Sequence, residues 1–165
     1  TIASTLDICN YSVHQRLLAT HPAADRSAFL VRLLGEVVSR LSILEEDPTR
    51  FGNDTQSISR VLHESLALCI SLCDAVGLIG AQEAVGKLRQ ALELQHRRIQ
   101  CEAACALTRF HDEAGRKAFL ALAKEPIARL RIVQYAQELG LSAELDPQWT
   151  SPSALAESQL ANWLA

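Results

Sequence analysis

Four of the five cysteines in this 165-residue chain fall in a spacing that could bind a metal. Cys69 and Cys73 are four residues apart, as are Cys101 and Cys105, and each member of the second pair follows its counterpart by 32. Residues four apart share one face of a helix. Two equivalent helices lying side by side would therefore turn four thiolates towards each other, a donor set that suits zinc. Two habits weigh against it. Structural zinc sits on short Cys knuckles with turns rather than on two continuous helices, and free cysteine packs as a small hydrophobe at close helix contacts. Cys69, Cys73, Cys101 and Cys105 are thus a minor alternative as ligands, and neither a metal nor a cofactor is expected. Nothing marks the exposed, low-pKa thiol that a redox reaction or a chromophore thioether needs.

The arginines carry the stronger lead. His96-Arg97-Arg98 and Arg129-Leu130-Arg131 stand at corresponding places, with Arg97 and Arg129 separated by 32 and Arg98 and Arg129 by 31. Each set begins a helical pattern, so stacking would align them into a basic ridge open to carboxylates, phosphates or an acidic protein surface. His96, Arg97, Arg98, Arg129 and Arg131 are accordingly the candidate partner-binding residues. The competing reading is structural: surface arginines commonly pair with nearby acids, here Glu93, Glu102 and Glu125. Catalytic motifs are missing. His63-Glu64 opens like H-E-x-x-H, but Ala67 stands where the second His belongs. No G-x-S-x-G elbow, phosphate loop or paired-carboxylate signature occurs. Asp112 in His111-Asp112-Glu113 reads as a helix cap. No catalytic residue is nominated, and the balance leans away from an enzyme.

Helices must position these residues. Apolar residues are 48% of the chain, while 7 Gly and 5 Pro provide too little punctuation for the many turns of an all-β fold. Residues 2–19 place Leu6, Cys9, Val13 and Leu17 on one stripe before Pro22 breaks the pattern. Asp25 is placed to cap a helix over about 25–45. Glu45 to Asp54 reads as a loop. A long helix follows, apolar at Ile58, Leu62, Cys69, Leu72 and Val76 and beside them at Val61, Leu68 and Ala75, a face wide enough to be sandwiched between layers. Shorter helices are expected over about 81–94, 98–110, 112–124 and 127–140. A last helix after Ser151-Pro152 has an apolar stripe of Ala156, Leu160, Trp163 and Leu164, with Trp149 and Trp163 expected to pack on the final repeat.

Two segments repeat at a fixed period. Ile99 to Leu107 is echoed by Leu130 to Leu139 at an offset of 31 to 32, and Leu88 by Phe119 at 31. A period near 31 filled with helical patterns marks a stacked helical repeat. The expected fold is all-α, an α-solenoid or right-handed superhelix of about eight helices. One domain holds an N-terminal helical section at 1–56, repeats at 57–140 and a C-terminal capping helix at 141–165. The chain opens on Thr1 and stops at Ala165 within an apolar pattern, so the expectation is that it continues past 165.

The pairs at 81–110 and 112–140 resemble HEAT repeats, of the short kind found in phycobilisome lyase-like proteins. The residues that carry the resemblance are Cys101-Glu102-Ala103-Ala104-Cys105-Ala106-Leu107, Glu125-Pro126-Ile127-Ala128-Arg129-Leu130-Arg131 and Leu139-Gly140. It implies a scaffold that binds a protein partner along its second helices. Its alternative is a lyase- or chaperone-type protein handling a chromophore or cofactor on a client.

Charge limits the partners further. Residues 81–140 hold ten Lys/Arg against seven Asp/Glu, and the rest of the chain six against twelve. That basic excess, with few aromatics for base stacking, is thin for nucleic acid, which stands third behind protein partners. Acidic flanks and a basic centre leave self-association open. No uninterrupted apolar run reaches the roughly 18 residues of a membrane span. Cysteines without a disulfide framework suit a reducing, cytoplasmic setting.

Overall fold

The computed structural model describes residues 1–51 and 54–164, and it is helical without a strand among them. Nine α-helices occur in the described residues: α1 (Ile2–His14), α2 (Ser27–Glu46), α3 (Thr55–Ile79), α4 (Val85–Glu93), α5 (Arg97–Arg109), α6 (Glu113–Leu122), α7 (Pro126–Leu139), α8 (Pro147–Thr150) and α9 (Pro152–Leu164). The added helix is α8, a single turn capped by Asp146 where the sequence suggested only a stop. Gly52 and Asn53, part of the expected loop, lie outside the described residues.

The helices α3, α5 and α7 pack side by side with α5 in the centre. On this row lie α2 against α3, α4 against α5, and α6 against both α5 and α7. At its two ends α1 packs on α3, and α9 packs on α7. The sequence explains why α5 takes the middle. Ile99, Ala103, Ala106 and Leu107 join one core cluster with α2, α3 and α4, while Cys101, Ala104 and Cys105 join a second with α6 and α7. Small side chains on both flanks let two neighbours approach at once. Each large aliphatic side chain buried in these clusters contributes roughly 1.5–3 kcal/mol.

Two glycines record how close the helices come. A Cβ on Gly77 in α3 would lie 2.8 Å from the Ala106 Cβ of α5. On Gly115 in α6 it would run into the Leu107 Cβ. The row also ends on a common device, since α3 stops at Gly80 (φ 81°), α5 at Phe110-His111 (φ 59° at His111) and α7 at Gly140 (φ 70°).

Several expectations are corrected. The N-terminal helix stops at His14, because Arg16 takes a left-handed φ of 56°, and Leu17 is left exposed beyond it. Asp25 does not cap α2; it lies in a short 3-10 turn beside Arg26. That corner is held by buried His21. Its Nδ1 accepts from the Ala23 amide at 3.1 Å, so Nε2 carries the proton and donates to Asn10 Oδ1 at 2.9 Å. Asn10 in turn donates to the Ser71 carbonyl at 3.0 Å, tying α1 to α3.

The stripe expected on the last helix faces outward, with Leu160, Trp163 and Leu164 exposed. The buried face of α9 is Ala154 and Ser158. Ser158 Oγ donates to the Pro126 carbonyl at 2.5 Å and accepts from the Leu130 amide at 3.2 Å. Asn162 Nδ2 donates to the Ile127 carbonyl at 3.1 Å. Finally, α3 with its 25 residues is long and apolar enough by composition to cross a membrane, because its charges are sparse. Its C-terminal half is buried among α1, α2 and α5.

Candidate functional site

Glu102 is the anchor of the polar groups on the α3–α5–α7 row. Its side chain is 1% exposed. An unpaired carboxylate in such a place would be very costly. Arg131 of α7 donates from Nε to Oε1 at 3.0 Å, and Tyr135, one turn later, donates its hydroxyl to Oε2. Arg98, one turn before Glu102 on α5, brings its Nε to 3.5 Å of Oε1. The Arg131 guanidinium lies 4.6 Å from the centre of the Tyr135 ring, a cation–π contact that fixes its plane.

Burial pushes the Glu102 carboxyl above its ordinary range, with Arg131 as the chief opposing influence. Burial, then the Glu102 charge, pushes the Tyr135 hydroxyl far up, so it remains a donor. Two guanidiniums thus share one buried carboxylate, with Asp74 adding to the field around Arg131. Both reach solvent: the Arg98 side chain is 54% exposed and that of Arg131 34%.

Arg98, Arg131 and Gln134 form a rib between two open clefts, each of about 530 Å³. The cleft towards α1 carries Asp7, Asn10, His14, Asp74 and Glu138. His14 Nε2 sits 3.0 Å from both Asp74 oxygens and its Nδ1 3.1 Å from Glu138 Oε2, which also accepts from Arg109 at 3.2 Å. The hydrogen bond to Asp74 raises the His14 pKa against the effect of burial. With a carboxylate on each nitrogen, the imidazolium has no free lone pair to accept a proton. It works as a clamp joining α1 to α3 and α7 rather than as a general base.

The cleft towards α9 is different in kind. It is lined by Ile70, His96, Cys101, Ile127, Leu130 and Asn162 beside the two arginines, with no carboxylate in its walls among the described residues. Burial, then Arg98, lowers the His96 pKa, so the ring is held neutral. Its Nδ1 is buried without a hydrogen-bond partner among the described residues.

Of the five residues nominated from sequence, the structure gathers His96, Arg98 and Arg131 around this cleft. Arg97 turns to Gln100 at 2.7 Å and Glu125 at 3.6 Å. Arg129 lies apart, and the aligned ridge of four cations does not form. Its side chain is 1% exposed and donates to the carbonyls of Ala123 (2.9 Å), Lys124 (3.0 Å) and Ala154 (2.8 Å) and to Glu157 (2.7 Å). Residues two apart on a helix point to nearly opposite sides. Arg129 therefore enters the seam with α9, under Trp149 at 5.0 Å, while Arg131 faces the row.

The thiols separate as well. Cys69 and Cys73 belong to one core cluster, Cys101 and Cys105 to the other. No metal-binding group of three or more His, Cys, Asp or Glu residues forms among the described residues. Burial pushes the Cys101 thiol up to about 12 and the Cys105 thiol higher; Cys73 is raised by its hydrogen bond with Cys69 and by burial. Cys73, Cys101 and Cys105 are protonated packing groups.

The sequence reading missed His14, Asp74, Tyr135 and Glu138. Two signals were present: Asp74 interrupts the apolar face of α3, and Glu102 stands among alanines and cysteines. A carboxylate set in an apolar face needs a partner, and that requirement points to a buried ion network. Compared with known protein families, curated proteins and solved structures, the chain shows no match.

Proposed function

We propose that the chain is a HEAT-like array of helical pairs that serves as a non-enzymatic scaffold for a polypeptide partner. The working surface in this reading is the α3–α5–α7 row. Support for the array comes from ion pairs that tie successive helical pairs together at a near-constant separation. Arg97–Glu125, Arg116–Glu144 and Arg129–Glu157 join residues 28 apart, and Arg109–Glu138 and Arg131–Glu102 residues 29 apart. The left-handed ends at Gly80, His111 and Gly140 follow a similar step. Each helical pair leaves an apolar face for the next to cover, which is the logic of a repeat protein.

The observation that carries the functional reading is the solvent-facing Arg98–Arg131 pair beside one buried carboxylate and between two open clefts, with Arg131 fixed by its bond to Glu102. Arginines positioned by a buried partner offer donors at little entropic cost. The buried thiols of Cys73, Cys101 and Cys105, all raised in pKa, disfavour covalent handling of a chromophore at those positions. Five free cysteines suit a reducing, cytoplasmic setting.

The test is a photo-crosslink. Gln134 is exposed on the rib between the clefts and would be replaced by a benzophenone amino acid, with Glu83 as a distant control. Irradiation in native extract should give discrete polypeptide adducts at position 134 and not at 83. Equal adducts at both positions, or adducts of nucleic acid, would sink the proposal.

A further inference from the structure

We infer that the α9-side cleft recognises a polypeptide segment in which an acidic side chain neighbours a large aliphatic or aromatic one. This rests on the scaffold reading and specifies its ligand.

The argument begins with unused donors. Among the described residues Arg131 makes one hydrogen bond, from Nε to Glu102, so its two terminal nitrogens are not engaged. Arg98 makes none there and meets Glu102 only at 3.5 Å. Arg98 also lies in the first turn of α5, whose cap, His96, gives no side-chain bond to the helix amides. The positive end of a helix adds to the field of the two guanidiniums. A carboxylate set between Arg98 and Arg131 meets unused donors from both.

The walls state the remainder of the preference. Ile70, Cys101, Ile127 and Leu130 surround the space beside the arginines, and Ile127 is 45% exposed. An apolar side chain adjacent to the bound carboxylate would cover them and exclude water from the charge contact, which strengthens it. The α1-side cleft lacks this character. Asp7, Asp74 and Glu138 line it, and they repel an acidic ligand.

A random-peptide display library panned on the full chain tests the inference. Enriched peptides would then be measured by fluorescence polarisation against the wild type, Arg98→Glu and Ile127→Asp, with circular dichroism as a check on folding. The expected result is a consensus of Asp or Glu beside Leu, Ile, Phe or Trp. Affinity should fall about tenfold or more in each variant, equivalent to 1.4 kcal/mol or more. Ile127→Asp leaves every arginine contact in place, so the test stays decisive if charge reversal at 98 perturbs the fold. Enriched peptides without an acid, binding unchanged in both variants, or displacement by a single-stranded oligonucleotide would overturn the inference. Failure to enrich any peptide would overturn it too, while the crosslink at position 134 separately decides the scaffold reading.

Discussion

Removing the Arg131 guanidinium would leave Glu102 in the interior with Tyr135 and a longer contact to Arg98. Breaking one side of a buried ion pair costs about 3–5 kcal/mol, because the remaining charge stays desolvated. Arg131→Ala should show a loss of that size in urea denaturation; a loss under about 1 kcal/mol would mean that Glu102 does not need its partner. His14 gives a test with a sign. Its pKa is raised in the folded chain above the ordinary 6.5 by the bond to Asp74. The stability it contributes is thus fully present below 6.5 and is lost as pH rises through the higher folded value. His14→Gln should cost roughly 1.5–3 kcal/mol in mildly acidic solution, the worth of a hydrogen bond to a charged group. The cost should close towards alkaline pH in melting curves. Buried His21 titrates with the opposite sign, because burial lowers its pKa and its protonation favours the unfolded chain. The difference between wild type and variant cancels that background. A cost that grows with pH would contradict the clamp.

At the scale of elements, most of the fold was legible. The expected helices over about 98–110, 112–124 and 127–140 appear as α5, α6 and α7, because apolar periodicity, Asp112 as cap and Pro126 at a first turn all agreed. The misses share a cause. The α9 helix docks through Ser158 and Asn162, polar residues that bond to the start of α7, and apolar periodicity is blind to such a face. Helix α1 ends on a left-handed Arg16 that carries no glycine to announce it. Close packing supplies the predictions here. Gly115→Ala drives a Cβ into Leu107, and Ala104→Leu overfills a site with no exposure. Each should cost roughly 1–3 kcal/mol in chemical denaturation, and a neutral effect at both would mean that the row is looser than these contacts require. His111→Gly should act the other way. It relieves a non-glycine residue at φ 59°, and the melting temperature should rise, by up to about 1 kcal/mol in stability. An unchanged or lower melting temperature would show that the His111 side chain contributes more than its backbone costs.

For the whole molecule, the 31- to 32-residue spacing suggested that the arginine sets align but could not say which way each side chain turned. That needed the seam with α9, which withdraws Arg129, and the buried Glu102, which gathers Arg98 and Arg131. The acidic cleft towards α1 was hidden further, since His14, Asp74 and Glu138 come from three helices distant in sequence. The account therefore turns on whether the exposed arginines bind or merely brace. Arg98→Ala separates the two most directly, because Glu102 keeps Arg131 and Tyr135 when Arg98 is gone. Stability and affinity for a selected acidic peptide would be measured on the same preparation. The account predicts a stability change within about 0.5–1 kcal/mol, as for an exposed ion pair, with affinity reduced about tenfold or more. A large loss of stability with unchanged affinity would make Arg98 a structural brace and contradict the proposed binding face.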